Sequence, residues 1–553
     1  MIDVKRIALY GILLLIVYTL WIDWQKENPS QPAGAATTLY GSTVSDKVTS
    51  PTSETEAITT ESSTPKASLS FVQTDVLKVG FDVNTGDLVS ASLIRYKESL
   101  ENKKPFALLT DSTSQRYVTA TRLFSSKNGT LNNTSVQFLP ASFHATQEGK
   151  QWIVSMDGQT QDGLKIRKEF ILTQGEYLIR VRYIIANEGE SPWVGAWSAQ
   201  FAQNNPHEDK SSLFHLGSYS GGAISIPGEK LYKKVSYSDM AKESLEQKVK
   251  DGWVAMQQHY FLTAWIPSTG TTNTFYTQVS HNNQDEVYRI GLLSEQIQLA
   301  PKQTHEFSAG LYAGPELMNV LEKIAPGLDL TIDYGWLSAI SVFIFFILEH
   351  IYQFVGNWGW SIILVTLLIK LLFYRLSAKS YTSMANMRKL QPQLEALRQR
   401  YAEDKAALSK ATMELYRKEK VNPLGGCLPV VVQIPVFIAL YWVLLESVQL
   451  RQAPFIFWIH DLSTPDPYYI LPIIMGLTML MQQKLNPPPP DPTQAKIMMF
   501  LPVVFTGLFL HFPAGLVLYW TVNNGLSIAQ QWVITRRISN EIIKKRFFPK
   551  KKK

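Results

Sequence analysis

The chain has 553 residues, a formal net charge of +7 at pH 7 and one cysteine, Cys427. Its length is sufficient for several domains, and a single cysteine excludes an intramolecular disulfide. The positive excess is concentrated in a few segments described below, so the basic pI does not by itself indicate a nucleic-acid-binding protein.

The N-terminal residues predict a membrane anchor followed by a flexible tether. An apolar run, IALYGILLLIVYTLWI, occupies residues 7–22 and follows Lys5 and Arg6. The basic flank is predicted to stay in the cytoplasm. A cleavable signal peptide is the alternative, but the run is long for a signal and the Ala-Gly-Ala sequence suited to cleavage lies well beyond it. We therefore predict an uncleaved anchor over 1–24, and a tether over 25–68 because that segment is rich in Ser, Thr and Pro.

Residues 69–325 predict an all-β domain. Short alternating runs such as LKIRKEFIL (164–172) and EYLIRVRYII (176–185) are separated by turn signals such as Asn-Thr-Gly at 84–86. Period-two alternation with regular turns is typical of a β-sandwich. A charged stretch at 238–250 is predicted as a helix within this domain.

A short apolar run separates the β domain from the hydrophobic half of the chain. The run covers 336–348, only thirteen residues, and ends at Glu349 and His350. This is short for a membrane span, so we predict an amphipathic helix within 326–356 that lies in the membrane interface. The alternative is a span, which would invert the topology of everything after it.

The rest of the chain predicts a bundle of membrane-spanning helices. Five spans are predicted at 357–377, 425–446, 467–483, 496–511 and 514–533. The loop 378–424 has ten basic and five acidic residues, and the tail 536–553 is also basic. Both are therefore predicted to be cytoplasmic by the positive-inside rule.

These assignments agree with one another. They predict a polytopic α-helical membrane protein with six spans, five of which form a core over 357–535. Both termini are then cytoplasmic, and the all-β sandwich domain lies outside the cytoplasmic membrane.

The basic loop is predicted to fold as a helical hairpin over 378–420. Leu390, Leu394, Leu397 and Tyr401 follow a 4-3-4 spacing, which places them in one apolar stripe on a helix. The alternative is a solvated pair of charged helices that only links two spans. The candidate functional charges of the hairpin are Arg388, Lys389, Arg398 and Arg400.

Signals for catalysis and for metal binding are weak. Gly158 and Gly163 have the spacing of a P-loop, but Leu164 follows where a lysine is required. The nine histidines include no pair with zinc-ligand spacing. We therefore expect neither an enzyme nor a metal or cofactor.

Polar residues inside the predicted spans are the candidate functional site. Thr366 and Lys370 are spaced by four and share one helix face. The others are Gln433, Tyr519, Trp520, Asn523 and Asn524. A lysine at the centre of a span costs ~2.5–3.5 kcal/mol, so such groups usually face the bundle interior or a water-filled cavity. Two alternatives stay open: Lys370 could snorkel to the cytoplasmic surface, and the amides could serve only as interhelical hydrogen bonds.

Four stretches resemble the YidC family of membrane protein insertases. They are YTSMANMRKLQPQLEALRQRY (381–401), VNPLGGCLPVVVQIPVFIALYWVL (421–444), LRQAPFIFWIHDLSTPDPYYILPIIMG (450–476) and FPAGLVLYWTVNN (512–524). The resemblance covers nearly the whole chain and is most specific over 330–535.

The resemblance implies a groove that is open to the cytoplasm and to lipid, with a single positive residue at its base. That residue is commonly Arg and here is Lys370, and the other polar residues named above would line the groove. The chain departs from the family pattern at Arg375, where Pro is common, and at Trp520, where Tyr is common.

The implied function is that of an insertase and chaperone of the bacterial inner membrane. It would move short polar tails of nascent membrane proteins across the membrane, alone or with the Sec translocon, and release their helices into lipid. The expected partners are nascent membrane proteins, the Sec translocon, the ribosome through the hairpin and basic tail, and membrane lipids, with no small-molecule substrate. The resemblance also places the β domain in the periplasm.

Two other functions are compatible with parts of the sequence. A secondary transporter or channel with a substrate-binding β domain is the first, although no internal repeat relates the spans, as transporters usually show. The second is an anchored sugar-binding or sugar-modifying β-sandwich, which leaves the last five spans unexplained.

Overall fold

The computed structural model describes residues 69–547, apart from 113–114, 128, 205–218, 283–284, 402–403, 420, 422–427 and 487–491. The predicted anchor 1–24, the tether 25–68, Cys427 and the last part of the basic tail lie outside the described residues.

The predicted β domain consists of two antiparallel sheets. The described strands are β1 (Leu69–Gln73), β2 (Leu77–Asp82), β3 (Asp87–Lys97), β4 (Pro105–Asp111), β5 (Arg116–Lys127), β6 (Thr130–Thr134), β7 (Gln137–Phe138), β8 (His144–Glu148), β9 (Gln151–Gln159), β10 (Leu164–Thr173), β11 (Leu178–Asn187), β12 (Trp193–Asn204), β13 (Gly221–Ile226), β14 (Lys230–Val235), β15 (Glu246–Lys250), β16 (Val254–Gln258), β17 (Phe261–Pro267), β18 (Thr272–Asn282), β19 (Asp285–Ser294), β20 (Ile297–Leu299) and β21 (Thr304–Pro315). One sheet has the order β1-β2-β3-β4-β5-β12-β19-β18-β15, with β6 beside β5 and β20 beside β12. The other has the order β14-β13-β16-β17-β21-β11-β10-β9-β7, with β8 beside β9.

The strands follow the alternation in the sequence. β10 and β11 pair directly, with Ile166 opposite Ile185 and Phe170 opposite Val181. These four side chains are buried, whereas the residues between them are mostly more exposed. The Asn-Thr-Gly turn at 84–86, before β3, places Gly86 in the left-handed region, at φ 66°. Glycine adopts this conformation without a steric penalty.

The predicted helix at 238–250 is only half correct. A six-residue helix, α1 (Tyr237–Lys242), begins at a capping box formed by Ser236 and Asp239. The chain then turns, and β15 pairs with β18 instead of extending the helix. Val249 is buried there, so pairing and burial at the sheet edge override the local helical preference of a charged segment.

One buried ion pair joins the two sheets. The Lys168 ammonium, on β10, donates a hydrogen bond of 2.6 Å to the Asp87 carboxylate on β3, and the Lys168 side chain is fully buried. Arg122 donates to the same carboxylate at 3.0 Å. Burial raises the pKa of the Asp87 carboxyl, but the two cations outweigh that effect and hold its pKa below the usual range. The pair is therefore charged and well satisfied.

Replacing Asp87 with Asn leaves the Lys168 ammonium buried without its counter-ion. We expect this change to destabilise the β domain by about 3–5 kcal/mol. The measurement is urea denaturation of the purified protein in detergent, followed by near-UV circular dichroism. Since the folded pKa of Asp87 is depressed, its stabilising contribution is present above its unfolded pKa of ~3.9 and is lost as the pH falls through the folded value.

The matched control is Asp157→Asn, which breaks an exposed ion pair with Arg167 on the same domain. This change should cost less than about 1 kcal/mol because exposed ion pairs contribute little. Equal losses of stability in the two variants would contradict the role assigned to the buried pair.

The helical half of the chain begins after β21. Its described helices are α2 (Met318–Ile324), α3 (Ser338–Val355), α4 (Trp358–Leu372), α5 (Tyr374–Lys389), α6 (Gln391–Arg400), α7 (Lys405–Lys418), α8 (Leu428–Glu446), α9 (Ile470–Leu485), α10 (Pro492–Phe509) and α11 (Ala514–Phe547). The predicted spans coincide with α4, α8, α9, α10 and the first part of α11. The hairpin helices are α6 and α7, and α11 continues well beyond the predicted span into the basic tail.

One feature of the helices differs from the sequence expectation. The span predicted at 357–377 is broken at Phe373, where the axes of α4 and α5 differ by 68°. Helix α3 continues past Glu349 and His350 and lies within the segment 326–356. By length and composition, the segment 335–355 could cross a membrane, and the bent pair α4–α5 could count as a second such segment, whereas several other apolar helices are shorter. The number of six spans therefore stays a prediction.

Both ends of α3 contact the same end of α8 and the loop that follows it. At the start, Gly335 lies beside the Trp442 indole. At the far end, Asn357 donates to the carbonyl oxygens of Pro454 and Phe455 at 3.2 and 3.3 Å. Helix α3 thus begins and ends near one end of the bundle.

The loop between α8 and α9 is attached to the β domain. The Arg451 guanidinium donates to the carbonyl oxygens of Lys97 and Glu98 at 2.8 and 3.0 Å. It also lies 5.3 Å from the centre of the Phe106 ring and 5.4 Å from that of Phe261. The Gln452 amide also donates to the Lys97 carbonyl, at 3.1 Å. The β domain therefore holds this loop through two neighbouring side chains.

Candidate functional site

The Lys370 side chain lies inside the helical bundle. It is only 6% exposed, and its ammonium donates a hydrogen bond of 2.7 Å to the Ser527 hydroxyl on α11. The Ser527 hydroxyl in turn donates to the carbonyl oxygen of Asn523, one turn earlier, at 2.7 Å. The Tyr381 hydroxyl, on α5, lies close enough to Ser527 to interact with it. We call these four residues the Lys370 cluster.

The cluster is electrostatically unusual because its cation has no counter-ion. Across the described part of the chain, no carboxylate forms an ion pair with Lys370, and its one hydrogen-bond partner is a neutral hydroxyl. Buried charges in proteins are normally paired. The site therefore offers an unneutralised positive charge to any acidic group that reaches it.

Thr366 lies one turn before Lys370 on the same face of α4. It is 1% exposed, and its hydroxyl donates to the Ile362 carbonyl within its own helix at 2.6 Å. This bond uses the only hydrogen that the Thr366 hydroxyl can donate. Thr366 therefore places a small side chain, with no free donor, beside the cation.

The aromatic residues of α11 pack against α8. The Phe437 ring lies 6.1 Å from Tyr519 and 4.5 Å from Trp520, the latter edge to face. Gln433 is one turn before Phe437 on α8, half-buried, and no hydrogen bond joins its side chain to another described residue. These contacts bring Gln433 to the same side of α8 as the aromatic pair, but none is a direct contact with Lys370.

The two asparagines of α11 have different environments. Asn524 is buried and donates a hydrogen bond of 3.3 Å to the Thr478 hydroxyl on α9. This is the interhelical bond that the alternative interpretation predicts for it. Asn523 is half-buried and enters the cluster through its backbone carbonyl.

Three further polar residues near this site are not among those predicted from the sequence: Ser527, Tyr381 and Gln531. Gln531 donates to the Leu485 carbonyl at 3.1 Å, which ties the end of α9 to α11. A signal was present: Asn524, Ser527 and Gln531 are spaced by three and four, so they form one polar stripe on α11. Tyr381 carried no such signal because its helix changes direction after α4.

Arg375 does not belong to the cluster. It lies on α5, beyond the 68° bend, and its side chain is exposed. Only five residues separate it from Lys370 in the sequence, but the bend at Phe373 gives the two cations different surroundings.

The charges of the hairpin fall into two groups. Arg388, Lys389 and Arg400 are exposed. Arg398 is half-buried and close enough to Tyr416 on α7 to interact electrostatically with its hydroxyl, which is a contact between the two hairpin helices. The first three are therefore available to a partner, whereas Arg398 also packs the hairpin.

The described residues contain no group of three side chains suited to hold a metal ion. What the Lys370 cluster can do chemically is bind acceptor oxygens, since an ammonium has three hydrogens and only donates.

Two family models match the chain. A model described as the 60Kd inner membrane protein matches residues 350–541, which include the Lys370 cluster. A model described as the YidC periplasmic domain matches residues 71–347, which include the β domain.

Similar proteins extend the match over nearly the whole chain. A membrane protein insertase YidC of Legionella pneumophila (strain Corby) is 53% identical over 550 residues, covering 98% of both chains. A protein of the same name from Coxiella burnetii (strain Dugway 5J108-111) is 44% identical over 553 residues, covering 97% of this chain and 96% of the relative. A crystal structure described as an active YidC insertase aligns with a TM-score of 0.37 at 18% identity, over 83% of this chain and 91% of that one. These relatives are named as insertases and not as enzymes.

Proposed function

Because this chain belongs to the YidC family of membrane protein insertases, we propose that it moves short polar tails of nascent membrane proteins across the inner membrane through a hydrophilic groove at the Lys370 cluster. The family acts on membrane proteins, and its models describe an inner membrane protein with a periplasmic domain. The observation that supports the groove is the buried Lys370 ammonium, which is bonded to a hydroxyl and to no carboxylate among the described residues.

The physical basis is the cost of moving a charged tail through hydrocarbon. A carboxylate at the bilayer centre is unfavourable by several kcal/mol, and that cost sets the barrier to crossing. A positive charge in a polar site of low dielectric attracts an acid more strongly than it would in water. The tail then has an intermediate position between the two aqueous phases, and the apolar part of the client can enter the lipid without a nucleotide.

The other groove residues have different roles in this proposal. Gln433 makes no side-chain hydrogen bond to another described residue, and it offers contacts to a polar tail. Tyr519 and Trp520 form an aromatic wall against α8, which suits the apolar part of a client. Thr366 and Asn524 are internally bonded and keep the walls of the groove polar, while Asn523 orients the Ser527 hydroxyl.

The topology and partners follow from the same account. Helix α3 lies along the periplasmic surface of the inner membrane, since both of its ends contact the same end of the bundle. The N-terminus and C-terminus are cytoplasmic, and six spans cross the membrane. The hairpin 378–420 and the tail 536–553 contact the ribosome, and the protein works alone or with the Sec translocon.

The charge at position 370 is expected to decide how acidic tails are handled. Lys370→Arg should insert clients normally, because the positive charge is kept. Lys370→Ala should slow the insertion of a client with an acidic tail by about tenfold, the effect of ~1.4 kcal/mol on a barrier, and slow a neutral-tailed client less. Lys370→Glu should be worse, because attraction becomes repulsion. The measurement is the fraction of a small single-span client whose tail becomes protected from protease in proteoliposomes.

Arg375→Ala is the matched control for this series. Because Arg375 is exposed beyond the bend, this variant should insert both clients normally, and the Lys370→Ala/Arg375→Ala double variant should resemble Lys370→Ala alone. Normal insertion of acidic tails by Lys370→Glu and by the double variant would show that the charge attracts no client.

The periplasmic β domain is expected to be dispensable for insertion itself, because the groove and the hairpin both follow it in the chain. Deletion of residues 60–315, with 316–350 kept, should leave insertion in proteoliposomes near normal but lower the thermal stability of the bundle. The reason is that Arg451 loses the carbonyl oxygens of Lys97 and Glu98. A stable shortened protein that inserts no client would contradict the proposal.

Ribosome binding is expected to depend on the basic tail. Replacing Lys544, Lys545, Arg546 and Lys550 to Lys553 with Gln should weaken co-sedimentation with ribosomes, because ribosomal RNA is polyanionic and such binding falls steeply with salt. The loss should be most visible at low salt. The control is a variant with seven exposed lysines of the β domain replaced by Gln. Unchanged co-sedimentation of the tail variant at every salt concentration would mean that these charges only set the topology.

A further inference from the structure

Three helices meet at the hydroxyl oxygen of Ser527. Lys370 reaches it from α4 at 2.7 Å, and the Tyr381 hydroxyl lies near it on α5. Ser527 itself is on α11, where its hydroxyl donates to the Asn523 carbonyl. Lys370, Tyr381 and Ser527 are all buried. No other side chain in the described residues is hydrogen-bonded to the Lys370 ammonium.

The hydrogen-bonding capacity of Ser527 fixes the direction of each bond. A serine hydroxyl has one hydrogen and two lone pairs. The hydrogen is used on the Asn523 carbonyl, so Ser527 can only accept from Lys370. The orientation of the hydroxyl is therefore set by the backbone of α11.

The hydrogen bond from Lys370 to Ser527 keeps the ammonium from moving to the aqueous surface. A lysine stem is long and flexible, and its ammonium can snorkel from within a span to the aqueous surface. The side chain of Arg375, five residues after Lys370, is already exposed, so a surface lies a short distance along the chain. Burial of the ammonium is unfavourable in itself, so a specific acceptor is needed to keep it between the helices.

We propose that Ser527 is the positioning residue that holds the Lys370 ammonium inside the bundle, with Tyr381 fixing Ser527 from the side of α5. The ammonium has three hydrogens. Ser527 takes one of them, which leaves two for the acceptor oxygens of a client tail, such as a carboxylate or a backbone carbonyl. The assignment of those two hydrogens to a client rests on the proposed function, whereas the position of the ammonium does not.

The first test measures where the ammonium lies. Full-length protein in proteoliposomes is treated with a water-soluble amine-acetylating reagent, and mass spectrometry gives the acetylation rate of Lys370 relative to that of the exposed Lys379. We expect Ser527→Ala to raise this ratio by about tenfold, since a bond to a charged group is a strong one. Ser527→Thr keeps the hydroxyl and should give the wild-type ratio. Tyr381→Phe should raise the ratio by less than Ser527→Ala.

Thr521→Val is the matched control. The Thr521 hydroxyl makes the same kind of bond within α11, to the Val517 carbonyl at 2.7 Å, but it does not bond to Lys370. This variant should leave the ratio unchanged. An unchanged ratio in Ser527→Ala, or an equal rise in Ser527→Ala and Thr521→Val, would overturn the proposal.

The second test measures insertion of the acidic-tailed client relative to the neutral-tailed client. Ser527→Ala should lower this ratio in the same direction as Lys370→Ala, and Ser527→Thr should restore it, which a general loss of folding would not do. If Lys370→Ala leaves the ratio unchanged while Ser527→Ala still raises acetylation, the positioning role stands and the proposed use of the charge fails. If Lys370→Ala lowers the ratio but Ser527→Ala changes neither measurement, the positioning role is wrong and the proposed function stands.

Discussion

An ammonium group held within a membrane-spanning bundle is the constraint on which the arrangement of the helices depends. Lys370 is buried and bonded to Ser527, and burial of a charge without a counter-ion is unfavourable unless polar groups surround it. The bundle meets this constraint by turning one hydroxyl from α11 and one from α5 toward the same point. The helical bend at Phe373 has a role here, because it brings Tyr381 back against α11.

The contacts at one end of the bundle hold the helices that surround this site. The end of α8 contacts the start of α3, and the loop after α8 contacts the far end of α3. Arg451 in that loop is bonded to the β domain. The β domain is in turn joined across its two sheets by the buried Lys168–Asp87 pair. The proposed groove thus combines an end that is tied to the β domain with a cation that has no counter-ion among the described residues.

Much of this architecture could be predicted from the sequence, because hydrophobic periodicity reports burial directly. The paired strands β10 and β11 and the apolar helices are examples. Other features depend on which segments meet in space. β15 is a strand because β18 lies beside it, and Ser527 matters because α11 packs against α4.

The most direct measurement of the central claim is a zero-length crosslink between the client and the cation. A ribosome-bound client with one Asp in its tail is halted during insertion and treated with a carbodiimide, which joins a carboxylate to a neighbouring amine as an amide. The account predicts an amide between that Asp and Lys370, found by mass spectrometry and absent when the Asp is replaced by Asn. Crosslinks confined to exposed amines such as Lys379 and Lys389 would contradict it.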